Sequence, residues 1–236
     1  MTGAGADDAA GLLVVRSQVA PALHADFHAW YDNQHVPDRI RLPGWLTARR
    51  YVAVHDPQQF LACYDLESLA VLRRPPYVSL RADRPTAEQA ILDRIGPMDR
   101  RIYRRLTAPA AGPAAGPAAG PAELGICGAL LLCVWWQPAP VAAAAFHDWY
   151  QQEHIPMLAQ VPGWLRSRRF ALAEGAGPAF LALHDLASAD VFDHPQYARA
   201  TATPRRAAAV ARRAGYERVL YQLIRRFDPP EETLPS

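Results

Sequence analysis

The chain predicts an α+β fold built from two βαββαβ units in tandem, and three observations carry that prediction. The segment from Phe27 to Pro37 returns from Phe146 to Pro156 at a constant offset of 119 residues, and 12 of the 25 positions from 27 to 51 are identical in the second copy. Each copy opens on a short apolar run of strand type, Leu12 to Gln18 and Leu130 to Trp136, followed by a proline that can start a helix. Between the copies lies a segment of alanine, glycine and proline, residues 107–122, that has no side chain able to build a core.

The elements follow in order. Leu12-Leu-Val-Val and Leu130-Leu-Leu-Cys-Val are continuous apolar runs, as in strands covered on both faces. Ala20-Pro21 and Ala139-Pro140 open a helix in each copy. Pro37 and Pro156 push the residue before them out of helical geometry, so the helices are expected to stop near His35 and His154. Pro43-Gly44 and Pro162-Gly163 predict a turn into second strands at 47–54 and 167–173. Third strands are expected at 60–66 and 180–186. Glu67-Ser68 and Ala187-Ser188 then cap a helical stretch that Pro75-Pro76 and Pro195 should break. Second short helices at 86–95 and 204–214 precede last strands at 101–106 and 218–224. This order is the ferredoxin-like arrangement, with helices on one face of the sheet. The strands are apolar on both sides, so the second copy is expected to cover the other face, sheet to sheet. The domains are then a loose tail over 1–10, a first unit over 11–106, the linker, a second unit over 123–227 and a disordered acidic tail over 228–236.

Composition narrows the function. Net charge is +2, which does not suit a protein that holds nucleic acid electrostatically. No lysine occurs, which removes Schiff-base chemistry, pyridoxal phosphate attachment and a phosphate-loop lysine. The three cysteines, Cys63, Cys127 and Cys133, do not recur between copies and lack metal-ligand spacing, as small core residues in a reducing cytoplasm would. No apolar stretch is long enough to span a bilayer, and the first residues lack a signal-peptide pattern, so a cytoplasmic chain is expected.

The duplicated chemistry sits on the first helix. Phe27, His28, Trp30, Tyr31 and His35, with Phe146, His147, Trp149, Tyr150 and His154, fall on one broad arc at 100° per residue. The aromatics suit packing on a sheet, whereas a core seldom requires imidazole twice in the same place. His28 and His35 are two turns apart, roughly 10 Å along the axis, too far to chelate one metal readily, so no metal site is expected. Imidazole at a helix end beside tyrosine can instead move protons near neutral pH. Arg49-Arg50 and Arg168-Arg169 lie on a strand, so one of each pair should face inward. Such an arginine either holds a ligand's oxyanion or pairs with Asp65 or Asp185. Trp45 and Trp164 follow the Pro-Gly turn as core packing or as a pocket wall. Glu153 precedes His154 where Gln34 precedes His35, which favours the second copy as the better acid–base site.

The pattern Phe-His-x-Trp-Tyr-x-x-[Glu/Gln]-His-[Val/Ile]-Pro, then Pro-Gly-Trp and Arg-Arg-[Tyr/Phe], resembles the EthD-like branch of the dimeric α/β-barrel superfamily over nearly all of both units. The resemblance implies that the two ferredoxin-like units form the barrel within one molecule, as an intrachain pseudo-dimer. It implies a cofactor-free lyase, cyclase, isomerase or monooxygenase acting on a small hydrophobic aromatic or polyketide-like carbonyl compound. His35 and His154 would be catalytic with Tyr31 and Tyr150 as helpers, while His28, His147, Trp45, Trp164, Arg50 and Arg169 bind substrate. Gln34 departs from the glutamate usual at its position, which weakens the first copy. Two alternatives stay open: a module that binds a small ligand or partner without catalysis, and a haem enzyme with one of these histidines as axial ligand. Further self-association of chains is also open.

Overall fold

The computed structural model describes residues 9–106 and 124–230. The linker at 107–122, most of the tail expected over 1–10 and most of that expected over 228–236 therefore lie outside the described residues. The chain divides into two compact units: one up to Arg104, joined by Ala173–Gly175 and the stretch from Leu223, the other Arg105–Leu172 with Ala176–Gln222.

In the first unit β1 (Gly11–Gln18) pairs antiparallel with both β3 (Asp56–Leu66) and β4 (Asp99–Leu106), and β3 pairs with β2 (Trp45–Ala53). In the second, β5 (Leu130–Pro138) pairs with β7 (Phe180–Leu186) and β8 (Arg213–Phe227), and β7 pairs with β6 (Trp164–Glu174). Each unit thus has the strand order last-first-third-second of a ferredoxin-like sheet. Register corresponds as well: Leu12 faces Asp65 as Leu131 faces Asp185, and a bulge follows both Trp45 and Trp164. Before each bulge, Gly44 and Gly163 adopt φ of 87° and 84°, a region that favours glycine. A Cβ on Gly44 would also lie 2.6 Å from Val71.

The helices follow the expected order with two differences. In the first unit α1 (His24–Trp30) runs through a π-helical turn, Tyr31–His35, directly into α2 (Val36–Ile40). The second unit repeats this with α5 (Ala143–Trp149), a π-turn at Tyr150–His154 and α6 (Ile155–Leu158). The helix therefore does not stop at His35 or His154. Val36 and Ile155 stay helical and donate their N–H groups five residues back, to the carbonyls of Tyr31 and Tyr150. A π-turn widens the spiral by one residue, which accommodates the proline that would break an ordinary helix. The second difference is that Pro75 and Pro195 begin helices, α3 (Pro75–Ala82) and α7 (Pro195–Thr201), after a 3₁₀ turn in each unit. Proline in the first helical turn lacks only an N–H that would be unsatisfied anyway. α4 (Thr86–Ile95) and α8 (Pro204–Ala211) complete the units.

One core lies between helices and sheet in each unit. Alternate strand residues such as Leu13, Val15, Phe60, Ala62 and Tyr64 pack on Phe27, Trp30 and Tyr31; Leu132, Val134, Trp136 and Ala182 pack on Phe146, Trp149 and Tyr150. The intervening residues, among them Leu12, Val14, Cys63, Leu131, Cys133 and Trp135, are buried too, as continuous apolar strands require. Among the described residues no helix is long and apolar enough to cross a membrane.

Candidate functional site

A cavity of about 240 Å³ opens in the second unit beside the π-turn. Its wall includes Leu132, Val134 and Trp136 of β5, Trp149, Tyr150 and His154 of the helix, and His184 of β7. Leu158, Trp164, Tyr197 and Thr201 continue the wall, and Arg206, Tyr216 and Arg218 complete it. Tyr216 and Arg218 are exposed and mark the mouth, while His154, His184 and Tyr150 are buried. A void of roughly 150 Å³ already holds benzene, so this one accepts a substituted ring or two fused rings.

His154 stacks on Trp149 with ring centroids 4.6 Å apart and meets Tyr150 edge-on at 5.1 Å. Its Nδ1 lies 3.3 Å from the carbonyl oxygen of Ala200. A carbonyl only accepts, so Nδ1 carries the proton and Nε2 keeps the lone pair. Burial, reinforced by the Arg206 charge, lowers the pKa of His154 to about 4. At neutral pH the ring is an uncharged base.

Tyr150 is held by a chain of polar groups. Trp164 Nε1 donates to Ser167 Oγ at 2.9 Å, Ser167 Oγ is 2.8 Å from His184 Nδ1, and His184 Nε2 is 3.3 Å from the Tyr150 hydroxyl. In the tautomer that uses the Ser167 proton, His184 donates to the tyrosine oxygen and frees the phenol proton for a ligand. Burial holds His184 well below its usual pKa and Tyr150 above its own, so one stays neutral and the other protonated. Arg169 lies behind this pair, 4.5 Å from the Tyr150 ring centroid and 2.9 Å from His147 Nδ1. Burial pulls its pKa down to about 10, which leaves it cationic at neutral pH.

The same positions in the first unit carry charged neighbours. His35 packs against Trp30 and Tyr31, and its Nδ1 is 3.4 Å from Glu88 Oε1, without hydrogen-bond alignment. Arg39 stands where the second unit has Leu158; it donates to the His35 carbonyl at 2.8 Å and sits 3.8 Å from Glu88. Burial again lowers the imidazole pKa to about 4, while contact with His35 holds Glu88 below the usual carboxylate range. Tyr64, facing Leu13, occupies the place of His184, which faces Leu132. Arg50 bonds to Asp32 and lies 3.2 Å from His28 Nδ1, over the Tyr31 ring.

The structure places the expected residues unequally. His154, Tyr150 and Trp164 converge on the cavity; His35, Tyr31 and Trp45 are core, with Trp45 against Tyr64 and Tyr77. His28 and His147 contact Arg50 and Arg169 and do not line the cavity. Both members of each arginine pair are buried, in place of one inward and one outward. Arg49 bonds to Asp65, and Arg168 approaches Asp185 at 3.9 Å, while Arg50 and Arg169 turn to the helix on the opposite face of the strand. The expected Glu153–His154 pair does not form. Glu153 reaches Arg205 at 3.5 Å, and the carboxylate beside a histidine is Glu88, in the other unit. Reading the repeat missed His184, Tyr197, Arg206, Tyr216 and Arg218. The signal for His184 was there, an imidazole within the apolar strand Phe180-Leu-Ala-Leu-His-Asp-Leu.

No protein-family model and no curated protein matches the sequence. Solved structures do. An anthrone oxidase-like protein superposes with a TM-score of 0.64 at 18% identity, covering 98% of this chain and 97% of that one. A candidate monooxygenase from Fusobacterium nucleatum gives 0.62 at 8% identity, over 93% and 94%. Chlorite dismutase from Candidatus Nitrospira defluvii, in complex with imidazole, gives 0.57 at 10%, over 92% and 91%. These are dimeric α/β-barrel proteins, and at such identities the likeness is one of fold.

Proposed function

We propose that the chain is a small-molecule enzyme of the EthD-like kind, built from two tandem copies, and that its second unit carries the reaction. The substrate is a hydrophobic aromatic or polyketide-like carbonyl compound. His154 Nε2 takes a proton from the carbon beside the carbonyl; the C–H electron pair becomes a C=C bond and the carbonyl π pair moves onto oxygen, giving an enolate. Tyr150 donates a hydrogen bond to that oxygen, and the Arg169 charge behind the ring favours the anion. The same step serves an isomerase, a cyclase or an oxygenase that passes the anion to dioxygen. The observation that carries this reading is the cavity shared by His154, Tyr150 and His184. The likeness to an anthrone oxidase-like protein supports it.

A haem suits the site poorly. At about 240 Å³ the cavity is smaller than the roughly 300–1,000 Å³ usual even for drug-sized ligands. His154 is stacked on Trp149, and His35 is enclosed by Trp30, Tyr31 and Glu88. The test is deuterium exchange at the α-carbon of 1-tetralone in D₂O, followed by proton NMR. Exchange above the buffer rate, lost in His154→Ala, is expected; exchange that His154→Ala leaves intact would sink the assignment.

A further inference from the structure

The charged side chains that line the cavity are of one sign. Arg206 and Arg218 line it, and none of the other lining residues is acidic. Arg206 donates to the Thr201 carbonyl at 2.9 Å, and Arg218 lies over the Phe192 ring at 4.8 Å. Neither they nor Arg169 has a carboxylate partner among the described residues, although Arg169 is only 7% exposed. The first unit neutralises the corresponding cation with Asp32; 119 residues on, Gln151 stands in that place. Glu88, which sits against His35, likewise has no carboxylate counterpart against His154, whose polar neighbours are the Ala200 carbonyl and the Arg206 charge. Leaving a buried guanidinium without a counter-ion is costly, and a cavity lined by cations and no anion raises the local concentration of anionic ligands.

We infer that this cavity recognises a planar aromatic compound through an anionic oxygen, carboxylate or phenolate, held at the mouth by Arg206 and Arg218. The ring then lies between Trp149 and Trp164, and the acidic group faces outward beside Tyr216. This rests on the reading of the cavity as the substrate site and narrows its substrate to acids. A neutral ketone of the same shape leaves the arginines to water, whereas the acid forms charge-assisted hydrogen bonds.

The test is calorimetric titration, checked by quenching of the cavity tryptophans, with two matched pairs: 2-naphthoate against 2-naphthamide, and 4-nitrophenolate against 4-nitroanisole. At least one acid should bind tenfold or more tighter than its neutral partner, and the pair that shows the difference identifies carboxylate or phenolate as the group read. In R206Q/R218Q that preference should vanish while the neutral compounds still bind, which also shows that the variant is folded. Equal binding of acid and neutral compound, or a preference that survives R206Q/R218Q, overturns the inference and leaves the aromatic cavity standing. Failure of all four to bind overturns the inference and removes the small-aromatic reading with it.

Discussion

The two units share strand order, register, bulge and π-turn, and differ in what stands around the helix histidine. In the first, Arg39 and Glu88 stand beside it, Tyr64 takes the place of His184, and Asp32 neutralises Arg50. In the second, Leu158 and His184 border a void, and Arg169 keeps its charge. The difference teaches that this scaffold can use the same residues to pack a core or to line a void. Which one results is decided by the non-repeated neighbours and not by the repeated His, Trp and Tyr.

The sharpest way to break that contrast is to exchange the two histidines for alanine separately. His154→Ala should lower α-proton exchange or turnover by roughly 10²–10⁴, the usual contribution of a general base, whereas His35→Ala should leave the rate within a few-fold. Equal losses in steady-state kinetics would erase the distinction between the units. Next in size is stability. Glu88→Gln removes the acid that Arg39 and His35 share and should cost about 3 kcal/mol in urea unfolding, while Arg206→Gln, at the cavity, should cost less than about 1 kcal/mol.

Acid titration sharpens the comparison further. A histidine neutral in the folded chain takes up its proton only on unfolding between pH 6.5 and about 4. Stability is therefore full above pH 6.5 and falls as pH drops through that window, by about 1.4 kcal/mol per pH unit for each such group. Glu88 acts at lower pH. Its folded pKa is depressed, so its contribution is present above the unfolded value of 4.5 and lost as pH falls through the folded one. His35→Gln and His154→Gln should each flatten the urea midpoint between pH 6.5 and 4, and Glu88→Gln should flatten it below pH 4.5. The smallest effect tests the charge difference itself. Gln151→Asp restores to Arg169 the partner that Arg50 has, and should weaken 2-naphthoate binding a few-fold while 2-naphthamide titrates as before.

Much of this was legible in the sequence. The repeat and the apolar runs indicated strand order and both helix starts, because hydrophobic period and proline position act locally. Pro37 and Pro156 misled, since a local rule against helix cannot anticipate a wider turn that relieves it. The site was half legible. His154, Tyr150 and Trp164 repeat and could be singled out, but repetition alone gave His35 equal standing. What separates them is Glu88 arriving from α4 and Arg206 from α8, contacts distant in sequence. His184 and Ser167 do not repeat, so a search for recurrence passed over them.

The five-residue turn also makes chain length an experimental variable. Removing Gln152 takes out the residue that widens the turn, and an ordinary helix cannot absorb Pro156 in its place, so the imidazole should lose its seat in the void without any side chain around it changing identity. A folded but inert deletion would show that reach and aim, more than composition, make that histidine a base.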